Sequence, residues 1–202
     1  MKRIRFKFGL LLLAVVVIVA AVAYFRWRGI SASAEPTAAE ALVARSLRHL
    51  AIPRTAKDAA NPVSASPEIL SEAMEHFADH CAFCHGNDGS GNTAIGKGLY
   101  PKPPDMRQAG TQNLSDGELF YIIQNGVRFT GMPAFGTDNS HDQDSWKLVR
   151  FIRRLSEITD EELARMKEMN PKSPADLQEE DEIKRFLEGD DSPSSNETHK
   201  HH

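Results

Sequence analysis

From Phe8 to Phe25 the chain runs eighteen residues without a charge, nearly all Leu, Val, Ile and Ala. As a helix this covers about 27 Å at about 1.5 Å per residue, close to a hydrocarbon core of about 30 Å. The run predicts a membrane-spanning helix. Further on, the pattern changes to amphipathic segments with three- and four-residue spacing. Thr37 with Glu40 forms a capping box, and Leu42, Val43, Leu47 and Leu50 follow as one narrow apolar stripe ended by Pro53. That stripe is expected to pack against the core or a partner helix. Pro67 and Glu68 open a helix whose Ile69, Leu70, Ala73 and Phe77 share a face. Ser115 with Glu118 caps a second core helix bearing Leu119, Phe120, Ile122 and Ile123, which stops at Asn125-Gly126. A third starts near Asp142 or Asp144 and carries Trp146, Leu148, Val149, Phe151, Ile152 and Leu155, apolar on more than one face. Thr159 with Glu162 caps a further short helix, and Leu177, Ile183, Phe186 and Leu187 suggest a last amphipathic turn. No segment alternates with period two for long enough to make a strand, so the fold class is all-α.

These elements divide the 202 residues into five zones. Residues 1–30 are a membrane anchor or signal peptide, and 31–66 an Ala- and Pro-rich tether with a short helix. Residues 67–155 form the folded core, 156–188 an acidic helical extension, and 189–202 a disordered tail. Charge supports the division. Residues 1–30 carry +6 and residues 156–202 carry −8, within a total of −4. The cationic flank before the apolar run, Lys2, Arg3, Arg5 and Lys7, is expected to stay cytoplasmic, which puts everything after Arg28 outside, in the periplasm if this is an inner membrane or otherwise on the extracytoplasmic face. Ala32-Ser33-Ala34 also fits a signal cleavage site, but the run exceeds the usual 7–15 residues of such signals and is closed by Arg26, Trp27 and Arg28, so an uncleaved anchor is the preferred reading. No basic stripe lies beyond the N-terminus, which argues against nucleic acid as a partner.

Chemistry concentrates in two motifs. The first is Cys81-Ala82-Phe83-Cys84-His85, at the end of the first core helix. Two thiols three apart with a histidine directly after them is the attachment pattern of c-type haem: each thiol adds to one vinyl group, and the turn brings His85 under the iron. A thioredoxin-type dithiol lacks its βαβ context here. A plain disulfide leaves the Gly-rich segment 86–110 without a purpose. A zinc site could recruit His76 and His80, four apart on one helix, though those two are better read as helix-surface residues. The second motif is the loop from Asn125 to Gly136, NGVRFTGMPAFG. Met132, between Gly131 and Pro133, is poorly explained as core filler and well explained as a thioether ligand to the iron. Met106, in the Pro103-Pro104-Asp105 segment, is the rival, but it lies too soon after His85 to cross to the other face of the ring. Met74, Met166 and Met169 fit helix packing.

CAFCH, the GKGLYPKPPDM segment and the NGVRFTGMPAFG loop before a Trp- and Phe-bearing last helix resemble the small class I cytochromes c. They are particularly similar to single-haem domains attached to bacterial oxidase and dehydrogenase complexes. The resemblance covers roughly Pro67 to Leu155 and implies one haem c wrapped by three to five helices, with the first and last core helices crossing. It also implies that a proline carbonyl, from Pro103 or Pro104, accepts from the imidazole N–H of His85. Its functional implication is a one-electron carrier rather than an enzyme. Cys81 and Cys84 would hold the haem, His85 and Met132 would ligate the iron, and no catalytic residues or small-molecule substrate are expected. Partners would be a respiratory complex, dehydrogenase or oxidase, with the membrane engaged through the N-terminal helix. Two other readings stand beside it: a haem enzyme or gas sensor with a displaceable methionine, and an accessory subunit whose His199, Lys200, His201 and His202 bind metal.

Overall fold

A computed structural model describes residues 2–136, 142–172, 183–185 and 187. In chain order the helices are α1 (Lys2–Arg28), α2 (Ala38–Ala51), α3 (Arg54–Lys57), α4 (Pro67–His76), α5 (Ala82–His85), α6 (Ala94–Gly98), α7 (Ala109–Gln112), α8 (Asp116–Asn125), α9 (Asp142–Arg154) and α10 (Asp160–Met169). A π-helical turn, Phe77–Cys81, joins α4 to α5, and a 3₁₀ turn, Leu155–Glu157, follows α9. The described residues contain no strand, and the fold is all-α. Leu177 and Phe186 of the expected last turn, and the tail with His199, Lys200, His201 and His202, lie outside the described residues.

Helix α1 contains a 23-residue stretch, Phe6–Arg28, long and apolar enough to cross a membrane. None of its apolar 18-residue window is buried inside the protein.

The core is built on the crossing of α4 and α9. Ser66 caps α4 by accepting from the Ile69 amide at 3.3 Å, and Pro67 supplies the fixed φ of the first helical residue. Ala73, Met74 and Phe77 then fall on one buried face. Phe77 meets Phe151 of α9 with ring centroids 5.1 Å apart. On α9, Leu148, Val149, Phe151, Ile152 and Leu155 are all buried, so this helix is packed on two sides as its pattern predicts. Trp146 turns the other way and stacks on Phe120 of α8 at 4.0 Å with rings 10° apart. Full burial of side chains this size contributes roughly 1.5–3 kcal/mol each, so the crossing holds much of the stability of a small domain.

Two arginines of α9 fasten the periphery. Arg153 donates through Nε to Asp116 Oδ1 (2.9 Å) and through its terminal nitrogens to the Gln112 and Leu114 carbonyls. Arg150 Nε donates to the Val63 carbonyl (2.8 Å), and the Asn61 side chain donates to the Trp146 carbonyl (3.0 Å). The segment leading into the core is thereby tied to its last helix. Helix α3 sits on the first turn of α8. A Cβ at Gly117 would fall on the Ala56 carbonyl oxygen, and Ser115 Oγ donates to the Lys57 carbonyl (2.7 Å). Beyond α9, the Thr159–Glu162 capping box starts α10, whose Met166 is fully buried in the same core.

Phe151→Ala should cost about 3–5 kcal/mol, the range for removing a buried aromatic ring, measured as a lower denaturant midpoint with an unchanged slope. Deleting the chain after Leu155 should also lower the melting temperature, because it uncovers the face that Met166 fills.

Candidate haem-binding site

The CAFCH segment is placed by a change of helical register. Helix α4 passes into the π turn at Phe77, and α5 then carries Ala82 to His85 before Gly86, at φ +75°, turns the chain away. A π turn adds one residue to the local repeat, and such insertions cluster at functional sites. Phe77, Ala78 and Ala82 stay in the core, and Phe83 is 66% exposed. Cys81 and Cys84 are both half-buried, and both are free thiols. Burial, followed by the neighbouring Cys84, pushes Cys81 up to about 12, and burial also raises Cys84. A redox-active dithiol requires the opposite shift, toward the thiolate, so the thioredoxin reading loses its chemistry as well as its fold. The zinc reading fares no better. His76 and His80 meet edge to face at 4.9 Å, and His80 Nδ1 lies 3.0 Å from Asp79 Oδ2. Among the described residues, however, no group of three or more His, Cys, Asp or Glu gathers as a metal cage.

His85 is buried, and burial pulls its imidazole down to about 4, so the ring is neutral at physiological pH and able to ligate. Its Nδ1 is sealed from solvent and has no hydrogen-bond partner among the described residues. An unpaired buried nitrogen costs about 1–3 kcal/mol, and it fits a ring whose bonding is completed by a group the chain does not supply. Neither Pro103 nor Pro104 accepts from His85 Nδ1 in this structure. Pro104 is exposed, whereas the Pro103 carbonyl lies against Gly91, where a Cβ would approach it to 2.5 Å. Gly91 in turn donates its amide to the His85 carbonyl (2.7 Å). Pro103 is therefore one residue removed from the ligand turn.

The segment from Gly86 to Gly110 is wrapped closely around the CAFCH turn. Thr93 Oγ1 donates to the Cys84 carbonyl (3.2 Å) and accepts from the Gly96 amide (2.8 Å), capping α6 against the turn. Gly96 has no room for a side chain, since a Cβ would lie 2.7 Å from the Cys84 carbonyl oxygen. Arg107 pins the return path, bonding Asp105 through Nε (2.8 Å) and Asp88 through a terminal nitrogen (3.1 Å). Hydrogen bonds from Arg107 hold the Asp105 carboxyl down at about 2. Met106 is buried in the core, and its amide donates to the Gly89 carbonyl (2.8 Å). Its burial matches a packing role.

The Met132 loop is folded back on the end of α8. Gly126 takes φ +63°, and a Cβ there would lie 2.6 Å from the Pro133 carbonyl carbon. Val127 donates to the Met132 carbonyl (3.1 Å), Met132 to Thr130 Oγ1 (3.1 Å), Phe135 to the Ile123 carbonyl (3.1 Å) and Gly136 to the Gln124 carbonyl (3.0 Å). Met132 itself is half-buried. Phe129 sits at φ +62°, an uncommon conformation for a bulky side chain, and is 94% exposed. Gly131 closes onto Leu99, the residue after α6, where a Cβ would come within 2.6 Å of the leucine side chain. The two motifs are thus joined through one short relay: Cys84 to Thr93 and α6, then Leu99 to Gly131 and Met132. Thr93, Leu99 and Thr130 went unremarked in the sequence. Of these only Thr93, a threonine just before a short helical stretch, carries a readable capping signal.

An all-helical core that carries CAFCH on its first helix and a methionine loop before its last defines a class I c-type cytochrome domain. Residues 69–152 match the family model described as cytochrome C oxidase, cbb3-type, subunit III. The match begins within α4 and ends within α9, leaving α1–α3 and α10 outside it. No curated protein matches the chain. Cytochrome c domains are electron-transfer modules with covalently bound c-type haem, and the free thiols and neutral, unpaired His85 fit that group.

Asp105 has its pKa depressed in the folded state, so it stabilises the fold at pH values above its unfolded pKa and ceases to do so as pH falls toward about 2. Asp105→Asn should therefore lower the denaturation midpoint at pH 6, and the difference from the parent should shrink between about pH 4 and pH 2. Gly126→Ala should cost about 1–3 kcal/mol in denaturant unfolding, because the added methyl meets backbone and the φ is one that alanine resists.

Proposed function

We propose that the chain is a membrane-anchored one-electron carrier with a single haem c, ligated by His85 and Met132 and facing the extracytoplasmic side of a bacterial membrane. One observation carries this reading. CAFCH and the methionine loop occur in the order and context of a cytochrome c domain, and the contact of Leu99 with Gly131 brings the two loops together. Bound here, the haem would supply reversible one-electron exchange at its iron. Cys81 and Cys84 would hold it through thioether bonds. His85, neutral and buried, would bind the iron from one side. The carbonyl of Pro103 or Pro104 would orient that ring. Met132, held by Thr130 and the Val127 amide, would close the other side. Were His85 and Met132 both to hold the iron, the chain would leave it no open position for a substrate, which suits electron transfer. A thioether ligand and exclusion of water both favour the reduced iron and raise the potential.

Helix α1 supports anchorage, and the charge flanking it supports an outward-facing domain. Confinement at the membrane raises the effective concentration of the carrier near its partners and replaces tight binding. The family match points to an oxidase-type complex as the partner, engaged through a small and weakly held contact.

A pyridine haemochrome assay with an intact-mass measurement on the full chain tests attachment and count, with one haem bonded to both cysteines expected. Met132→Ala should open the iron to carbon monoxide in the reduced protein and lower the midpoint potential by on the order of 100 mV, within the range of about 0.8 V that axial ligands command. Met106→Ala should leave both properties unchanged while costing about 2–5 kcal/mol of stability. An unchanged spectrum and potential in the Met132 variant would reject the ligand assignment.

A further inference from the structure

Helix α2 presents its two faces in the reverse of the usual order for a helix packed on a domain. Its inward side carries Ala41 and Arg48, both half-buried. Ile52, just past its end, is buried, His49 Nδ1 lies 3.0 Å from Oε1 of the buried Glu118, and Lys57 Nζ donates to the His49 carbonyl (2.6 Å). Its apolar side faces outward. Leu42, Val43, Leu47 and Leu50 form one stripe and are each 56–77% exposed, and no residue of the helix is buried. The expectation that this stripe packs on the core is not met. Contiguous exposed apolar surface with a polar border marks an interaction site.

Two observations identify what covers it. First, α2 begins beside the end of the apolar span. The segment between Arg28 and Ala38 is folded back, with the Arg28 guanidinium donating to the Glu35 carbonyl (3.1 Å) and Lys102 Nζ 3.7 Å from the Glu35 carboxylate. Second, α2 and α3 are cationic. Arg45, Arg48, Arg54 and Lys57 face a single acid, Glu40. An apolar stripe on a basic helix, immediately after a bilayer span, has the character of a helix lying in a membrane interface with anionic headgroups.

We infer that α2 lies in the headgroup layer with Leu42, Val43, Leu47 and Leu50 in the outer acyl region, and that its inward side holds the cytochrome domain at a fixed attitude to the membrane. The inference rests on α1 crossing the bilayer and goes beyond that reading. Residues 31–66 then act as a bracket rather than a loose leash. Three contacts transmit the orientation: His49 with Glu118, Lys57 with Ser115, and Ala56 with Gly117.

The test uses the full chain with haem attached, in liposomes of phosphatidylcholine and phosphatidylglycerol. Attachment consumes Cys81 and Cys84, so single cysteines can carry a nitroxide label. The variants are Val16→Cys, Val43→Cys, Ala44→Cys, Arg45→Cys, Leu47→Cys and Leu50→Cys. Expected is a ratio of oxygen to water-soluble nickel-chelate accessibility several-fold higher at 43, 47 and 50 than at 44 and 45, and highest at 16. Equal aqueous accessibility around α2 with a deep label at 16 overturns the inference and leaves the anchor standing. Aqueous accessibility at 16 overturns both. Spin–spin broadening at 43, 47 and 50 that disappears on dilution with unlabelled protein shows a second copy on this face, and also overturns the inference.

Discussion

Phe77 and Phe151 lie against each other where the first and last core helices cross, and the positions of nearly all other elements follow from that contact. With Phe77 held in the core, the π turn beginning at it sets the direction in which Cys81, Cys84 and His85 leave the helix. With Phe151 held, α9 carries Arg150 and Arg153 to the carbonyls of the entering segment and of the turn before α8, and carries Leu155 to the surface of Gly89. A domain this small has limited apolar surface to bury, so one well-placed aromatic crossing governs a large share of its geometry.

The segments 86–110 and 125–136 have little regular structure and are held for a different reason. Their backbone groups are paired within the loops or to helix ends: Gly91 to His85, Met106 to Gly89, Val127 to Met132, and Phe135 to Ile123. Glycines occur where carbonyls approach too closely for a side chain, as at Gly96 and Gly126. A rigid frame of this kind suits electron transfer, in which ligands should move little when charge changes. Among the described residues the buried Nδ1 of His85 has no hydrogen-bond partner.

The tether contributes to the architecture as well as to the topology. Gly117 lets α3 rest directly on the first turn of α8, and Glu118 serves at once as the N3 residue of a capping box and as the acid facing His49 and Lys57. Motion of the tether is therefore coupled to the helix that ends in the methionine loop.

Much of this was legible in the chain alone, and the legible part is local. The capping boxes at Thr37, Ser115 and Thr159 each depend on a residue three positions away, and all three form as read. The apolar periodicity of α4, α8 and α9, the unbroken run of α1, and the spacing of CAFCH depend on nothing farther off than a few turns of helix. Tertiary structure alone decided the remainder, because it turns on pairs of residues distant in sequence. Periodicity shows that α2 has an apolar face but not that His49 meets Glu118. Composition marks the stretch after Leu155 as acidic but does not reveal that Met166 fills the core. A methionine between prolines and charges gives no sign that Met106 will be buried. The π turn is equally silent in sequence, since it fits Phe77 and Ala82 into one core while the intervening Asp79 and His80 stay exposed.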